Sequence, residues 1–132
     1  MVDVESGAQE VAGNYEWNVS HPGRSSYPIA WSPDSRWLAF TRGQANANDA
    51  IILYDLEASE AHQVTSGYYS DSDPVFSTDG KHLFFLTDRQ LDAAYSSLGD
   101  GTWIYPNSTR LAAVGLTHDT PTPLEPRNDE VP

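Results

Sequence analysis

An ungapped internal repeat constrains the fold of this chain more than any other feature of its sequence. Residues 30–40 (AWSPDSRWLAF) align with residues 75–85 (VFSTDGKHLFF) at a constant offset of 45, since 75 − 30 = 45. An aromatic residue, a serine, an aspartate, a small residue, a cation and a leucine recur in the same order. The positions that define this repeat are Trp31, Ser32, Asp34, Phe76, Ser77 and Asp79. The chain is therefore built from similar structural units.

A second repeated unit follows each copy, and a related unit opens the chain. Residues 53–64 correspond to residues 113–124 at an offset of 60, since 113 − 53 = 60. The second copy thus carries about 15 extra residues (60 − 45 = 15), which we assign to an insertion over 89–107. Residues 2–7 resemble residues 54–59, so we expect the chain to open inside a repeat.

The repeated segments have the pattern of short antiparallel strands joined by tight turns. The segments SPDS at 32–35 and STDG at 77–80 combine proline, aspartate and glycine in the manner of tight turns. Strands are predicted over 28–32, 36–42, 50–56, 61–66, 73–77 and 81–87. Four short strands in every 40–45 residues are typical of a β-propeller blade. The predicted fold class is all-β, with about two four-stranded antiparallel blades of a larger propeller.

This pattern divides the chain into four regions. They are the end of a preceding blade with its connection (1–26), a regular four-stranded blade (27–66), a second blade (67–126) and a linker (127–132). Within the insertion at 89–107 we expect a helical turn over 90–97. An insertion of this length usually has a function or covers one end of the blades.

Composition excludes several classes of function. The chain has 132 residues with 19 acidic against 7 basic residues, a formal net charge of −12. Such acidity argues against nucleic acid and anionic membranes as partners, because both bind basic patches. The chain has no cysteine, which excludes disulfides and thiolate chemistry. With no apolar run of membrane-spanning length and no signal sequence at its start, we expect a cytoplasmic location.

Several segments together resemble one known family. Residues 29–40 are similar to the blade signature of TolB-type and tricorn-type propellers. Residues 71–76, 83–89 and 105–110 resemble the second, larger propeller of the tricorn proteases. The resemblance implies a large multidomain serine peptidase that trims oligopeptides, whose propellers act as gated channels and whose catalytic residues lie in other domains. It therefore implies a non-catalytic propeller fragment, acting as scaffold, substrate channel and protein-interaction surface, with no cofactor.

No enzyme motif supports catalysis by the chain itself. No Gly-x-Ser-x-Gly elbow occurs, and a triad of Ser25, His62 and Asp73 has nothing to select it over other combinations. We predict no catalytic residue.

A calcium site at Asp71 and Asp73 is the strongest metal hypothesis, with Asp34 and Asp79 as further candidates. The Asp71-x-Asp73 spacing supplies too few ligands, because calcium takes 6–8 oxygens. Turn aspartates that bond their own backbone explain the pattern better, so we predict no metal site.

The aromatic residues divide into repeated and unrepeated ones. Trp31 and Phe76 occupy matching positions, so we expect both to pack between blades. Tyr95, Trp103 and Tyr105 lie in the insertion and do not repeat, and we predict that they contact a peptide or a partner protein. The alternative function is therefore a stand-alone module that binds a peptide or carbohydrate through the 89–107 loop, with the Tyr68–Tyr69 pair as a further candidate for a groove.

Two blades leave sheet edges and faces uncovered, and such surfaces promote association. We therefore expect self-association into a homo-oligomer, or association with the remaining blades of a parent protein.

Overall fold

The computed structural model describes residues 1–13, 28–89, 95–96, 103–104 and 108–123. The strands in these residues are β1 (Ile29–Trp31), β2 (Trp37–Gly43), β3 (Asp49–Asp55), β4 (Glu60–Gln63), β5 (Asp71–Phe76), β6 (His82–Thr87), β7 (Tyr95–Ser96), β8 (Trp103–Ile104) and β9 (Arg110–Gly115). The all-β prediction is confirmed. The described part of the chain contains no helix that is long and apolar enough to cross a membrane.

The first sheet is a four-stranded antiparallel meander in the order β1-β2-β3-β4. Its central strand β3 is rich in β-branched and aromatic residues, which favour strand geometry. Ile51 and Ile52 point to opposite faces and are both fully buried, so both faces of this sheet are covered.

The second sheet has the order β5-β6-β9 and repeats the register of the first. In the first sheet Trp37 pairs with Asp55, and in the second His82 pairs with Gly115. These pairs are related by the sequence offsets of 45 (82 − 37) and 60 (115 − 55). The internal repeat is therefore a structural repeat, and the propeller-blade prediction is confirmed.

The two tight turns share one hydrogen-bond arrangement. In the first turn the Ser32 hydroxyl donates to Asp34 (2.5 Å) and accepts from the Trp37 amide (2.8 Å). In the second turn the Ser77 hydroxyl donates to Asp79 (2.6 Å) and accepts from the His82 amide (2.9 Å). These contacts satisfy backbone donors where the strands are not yet paired.

The apolar core lies between the two sheets. Its buried members are Ala39, Ile51, Phe76, Leu83 and Phe85. Ala39 and Ile51 come from the first sheet and the other three from the second, so the sheets pack face to face. Burial of these side chains stabilises the stack by about 1.5–3 kcal/mol for each large residue.

An N-terminal hairpin contacts the other face of the first sheet. Val2 forms a bridge to Gln9, which matches the pairing of Tyr54 with Ala61 in the β3–β4 hairpin at an offset of 52 (54 − 2 and 61 − 9). The hydroxyl of Tyr54 donates a hydrogen bond to the carboxylate of Glu10. Residues 1–10 thus repeat the outer part of a blade, as the sequence comparison indicated.

Phe76 lies in the inter-sheet core, whereas Trp31 is 49% exposed and lies outside that core, so its packing between blades stays a prediction. Trp31 pairs with Leu38, on the face that the N-terminal hairpin contacts.

The second sheet has three strands in the described part of the chain, where four were expected. The offset of 60 places the counterpart of β4 near residues 121–124, but residues 121–123 contain no strand and residue 124 lies outside the described residues. Pro121 and Pro123 have no amide hydrogen to donate to a sheet. The carbonyl of Pro121 instead contacts Nε2 of His82 (2.9 Å).

The helical turn expected over 90–97 is wrong at Tyr95 and Ser96. These residues form β7, which pairs with β8 at Trp103 and Ile104. The other residues of 90–97 lie outside the described residues. The insertion therefore contains a short antiparallel pair.

Candidate interaction surface beside the insertion

Three loops meet at the end of the sheets from which the insertion leaves. The Asn48 side chain donates to the carbonyls of Gly67 (3.2 Å) and Tyr68 (2.7 Å). The Asp88 amide donates to the carbonyl of Ser70 (3.0 Å). The β2–β3 turn, the β4–β5 connection and the end of β6 are thereby fixed to one another, and we call this region the loop end.

An exposed aromatic cluster lies at the loop end. Tyr68 is 75% exposed and Tyr69 is 37% exposed, and their rings meet edge to face at 5.0 Å. The guanidinium of Arg89 lies 5.6 Å from the centre of the Tyr69 ring. Contacts of this kind hold a cation against an aromatic face and favour a fixed orientation of the arginine.

A buried carboxylate lies next to this cluster. Asp71 is 1% exposed, and neither of its oxygens accepts a hydrogen bond from a described residue. Its nearest cation is Arg89, whose Nη2 lies 3.7 Å from Oδ2. Thr87, which pairs with Asp71 across β5 and β6, also has a buried hydroxyl without a described hydrogen-bond partner. Buried groups in this state are costly, and such groups are concentrated at functional or strained positions.

The base of the insertion is closed by polar contacts. The Thr109 hydroxyl donates to the Asp88 carboxylate at 2.8 Å, and Thr87 pairs with Arg110 in the sheet. The insertion therefore begins and ends beside Arg89 and the aromatic cluster.

Of the three residues that we predicted to contact a peptide or partner, the structure describes two. Tyr95 lies in β7 and Trp103 in β8, where Tyr95 pairs with Ile104 and Trp103 with Ser96. Tyr105 lies outside the described residues. The pairing brings the backbones of Tyr95 and Trp103 onto neighbouring strands, and their role in binding stays a prediction.

The ionisable residues of the repeat take part in the hydrogen bonds of the tight turns. The hydrogen bonds from the Ser32 hydroxyl and the Arg36 amide lower the pKa of Asp34. The corresponding bonds from Ser77 and Lys81 lower the pKa of Asp79. Both carboxylates are thus held ionised by the turn that each one closes.

The described residues contain no cluster of three or more His, Asp or Glu side chains that could hold a metal. Of the triad considered above, Ser25 lies outside the described residues. Asp73 lies at an irregularity of β5, with φ of 53° and a hydrogen bond from the Ser72 hydroxyl (2.8 Å). His62 packs near the Trp37 ring, with 6.0 Å between ring centres.

Arg89 was missed as a candidate by the sequence reasoning. Its signal is weak, because a lone arginine at the end of an apolar strand is an ordinary feature. Its importance depends on Tyr69 and Asp71, which are 20 and 18 residues away in sequence (89 − 69 and 89 − 71). Only the folded chain brings these three side chains together.

The fold defines the class of protein: two stacked antiparallel sheets with the same turn, register and order of inner strands are blades of a β-propeller. A crystal structure of the tricorn protease has the same fold, with a TM-score of 0.73 and 23% identity, over 92% of this chain and 12% of that one.

The sequence is similar to tricorn proteases as well. It is 32% identical over 100 residues to the putative tricorn protease homolog 2 of Streptomyces coelicolor, which covers 73% of this chain and 8% of that protein. It is 36% identical over 62 residues to the putative tricorn-like protease C-terminal subunit of Sulfurisphaera tokodaii, covering 47% of this chain and 7% of that protein. No protein-family model matches the chain. The resemblance to the tricorn proteases is confirmed: the chain is a tricorn-like propeller segment that spans less than a tenth of these two relatives.

Proposed function

We propose that the chain is a non-catalytic part of a tricorn-like peptidase, where it acts as scaffold and as part of the wall of a substrate channel. The similarity to tricorn proteases supports a tricorn-like peptidase as the parent protein, and the stacked blades support the scaffold role. The observation that carries the proposal is the use of the repeat's serines and aspartates in turn hydrogen bonds. These residues stabilise blades rather than perform chemistry.

A second function is favoured by the aromatic cluster at the loop end. Tyr68, Tyr69 and Arg89 present two ring faces and one cation beside the insertion. Aromatic rings with a fixed arginine are common in surfaces that bind peptides. This arrangement supports a stand-alone peptide- or carbohydrate-binding module that uses the 89–107 loop.

Deletion of residues 90–106 separates the two functions. The deletion joins Arg89 to Asn107 and leaves five residues (88, 89 and 107–109) between Thr87 and Arg110, a workable hairpin loop. Binding of a fluorescent mixed hexapeptide pool is measured by anisotropy on the intact chain and on the deletion variant. A scaffold predicts no saturable binding below about 1 mM by either protein, the range of very weak association.

Tyr69→Ala is a matched control with the insertion intact. Saturable binding that is lost in the deletion variant and weakened in Tyr69→Ala would contradict a pure scaffold and establish the binding module. Cleavage of the peptide pool by the purified chain would contradict both functions.

A further inference from the structure

The two sheets converge at β1 and β5. β5 comes within 8 Å of the first sheet, measured between Cα atoms, and β1 is among its neighbours there. In the described part of the chain, β6 and β9 do not come this close to a strand of the first sheet. The blades of a propeller stand around a central channel, so neighbouring blades are closest at their inner strands. β1 and β5 are therefore inner strands, and we call their unpaired edges the inner edge.

An inner edge of this kind normally accepts an extended chain. Among the described residues, β1 pairs with β2 alone and β5 with β6 alone, so each strand has a free side. The free side of an edge strand presents unpaired amide and carbonyl groups, and an extended peptide binds them by adding a strand to the sheet. On the wall of a substrate channel, such pairing would hold the peptide in place.

β5 is interrupted in a way that prevents this pairing. Ser72 pairs with Leu86 and Val75 with Phe84, so Asp73 and Pro74 form a β-bulge between these two pairs. Asp73 has φ of 53°, in the left-handed region, and its side chain is exposed. A bulge bends the strand, and an exposed charge further opposes the approach of another strand.

Pro74 removes a hydrogen-bond donor from the free side of β5. Ser77 donates its amide to β6, and Ser70 accepts an amide from the residue that follows β6. Because the direction of the backbone groups alternates along a strand, Asp71, Pro74 and Phe76 direct theirs to the free side. The central one of these three is a proline, which has no amide hydrogen. The free side therefore lacks a continuous row of donors.

The first sheet has a proline in the corresponding region. Pro28 comes directly before β1 and corresponds to Asp73 at the offset of 45 (73 − 45 = 28). β1 itself, Ile29–Trp31, has three residues, which gives an added strand little to pair with. Proline is thus placed at the inner strand of both blades, where the two edges adjoin.

We propose that the inner edge is a surface along which an extended peptide passes, touching side chains without pairing its backbone to β1 or β5. This inference rests on the proposed role as part of a channel wall, and it adds how that wall treats the peptide. Its partner is an extended peptide of any sequence, because no ladder of backbone hydrogen bonds fixes the register of the peptide.

The test restores a regular strand edge. Deletion of Asp73 combined with Pro74→Val leaves five residues of β5 opposite residues 83–87 and keeps the registers on both sides of the bulge. Pro74 is buried, and valine is close to it in size. We call this the restored-edge variant. Pro74→Val alone keeps the bulge and supplies the missing donor, so it serves as a second variant. Pro33→Val, in the exposed part of the first tight turn, is the control.

Two fluorescent hexapeptides of alternating threonine and valine are the probes, one unmodified and one methylated at every backbone nitrogen. Methylation removes the donors that strand addition needs. Anisotropy is measured on the whole chain and its variants, whose folding is checked by urea denaturation. We expect the unaltered chain and Pro33→Val to bind neither peptide saturably below about 1 mM. The restored-edge variant should bind the unmodified peptide at least tenfold more tightly than the methylated one, and Pro74→Val should show a smaller preference of the same sign.

Two results would overturn the inference alone. One is a tenfold preference of the unaltered chain for the unmodified peptide, which would show that the inner edge already pairs. The other is equal binding of both peptides by the folded variants, which would show that the bulge and the proline do not prevent pairing. Failure of the channel role has a different signature: saturable binding of both peptides by the unaltered chain, lost in Tyr69→Ala, would contradict the wall and overturn the passage of peptides with it.

Discussion

At the scale of single residues, the two tight turns explain why the repeat is visible in the sequence. A serine hydroxyl at the start of the turn satisfies a strand amide, and an aspartate two residues later closes the loop. Replacing Ser32 or Ser77 removes both contacts, so few other residues suit these positions. Turn chemistry of this kind is local, and it could therefore be predicted from the sequence.

The matched turn positions Ser35 and Gly80 test the cost of left-handed backbone. Their φ angles are 60° and 69°, a region that glycine adopts freely and other residues adopt at a cost of about 1–2 kcal/mol. The greater flexibility of glycine in the unfolded chain offsets about 0.5–1 kcal/mol of this.

We therefore expect Ser35→Gly to raise the free energy of unfolding by about 0.5–1 kcal/mol and Gly80→Ser to lower it by a similar amount, as measured by urea denaturation. A Cβ at Gly80 would lie 3.8 Å from Pro33, so no clash complicates the comparison. Effects of the same sign in the two variants would contradict this explanation.

The buried carboxylate of Asp71 is a second residue-scale test. Because its oxygens accept no described hydrogen bond and Arg89 is 3.7 Å away, the charge is poorly compensated. Asp71→Asn should therefore raise the free energy of unfolding by about 1 kcal/mol, measured by urea denaturation. Arg89→Gln is the partner variant, and it should lower stability because it leaves the carboxylate without its cation. A loss of stability in Asp71→Asn equal to that in Arg89→Gln would instead show that the ion pair is strongly stabilising.

At the scale of elements, the strands were predictable and the connections were not. The predicted strands over 36–42 and 81–87 agree with β2 and β6 within one residue at each end, because a short apolar run with aromatic residues, preceded by turn residues, marks a strand. The insertion and the segment after β9 depend on contacts with distant residues. Examples are the pairing of β7 with β8 and the contact of His82 with Pro121. Neither contact leaves a local pattern in the sequence.

The candidate site was predictable only in part for the same reason. The Tyr68–Tyr69 pair could be singled out from its composition, whereas Arg89, which lies against the Tyr69 ring, could not. Tyr69 lies in the β4–β5 connection and Asp71 in β5, and sequence spacing carries no information about their contacts with Arg89.

The N-terminal hairpin provides a prediction at this scale. Its attachment to the first sheet includes the hydrogen bond from Tyr54 to Glu10. Tyr54→Phe removes this bond without changing the ring, so the hairpin should open about tenfold more often, the factor for one hydrogen bond of ordinary strength. Hydrogen exchange at the amides of Asp3 and Gly7 should accelerate by this factor, because these amides bond only within the hairpin. Exchange of the Ser77 amide serves as the control and should not change.

At the scale of the whole molecule, the two sheets and the hairpin form successive layers that repeat one another. The two sheets pack against each other through the core, and the hairpin contacts the opposite face of the first sheet. Ala39 and Ile51 are buried in the first sheet, and the equivalent positions of the second sheet hold the apolar residues Phe84 and Leu111 (84 − 45 = 39 and 111 − 60 = 51). The repeat therefore extends from the turns to the packing surfaces of the sheets.

The dependence of stability on pH also belongs to the whole molecule, since it sums over carboxylates in every layer. Among the residues that the structure describes, hydrogen bonds lower the pKa of five carboxyl groups: those of Asp3, Glu10, Asp34, Asp55 and Asp79. A hydroxyl group donates a hydrogen bond to four of these carboxylates. The fifth, Asp55, accepts from the Arg36 guanidinium at 2.7 Å. A group with a lowered pKa stabilises the fold fully above its ordinary value near 4 and loses this effect as the pH falls through its lower value in the fold.

We therefore expect the free energy of unfolding to be nearly constant between about pH 7 and pH 5 and to fall steeply below about pH 4. Urea denaturation followed by circular dichroism at each pH measures this profile, in 0.5 M salt so that general repulsion among the acidic groups is screened. The variant Asp34→Asn/Asp79→Asn removes two of the five groups and should have a shallower fall below pH 4. Asp119→Asn is the control, since this carboxylate is fully exposed and bonds only to the neighbouring His118, and it should keep the steep profile. Stability that rises on acidification from pH 5 to pH 3 would mean that relief of charge repulsion outweighs these hydrogen bonds, and it would contradict the role assigned to the turn aspartates.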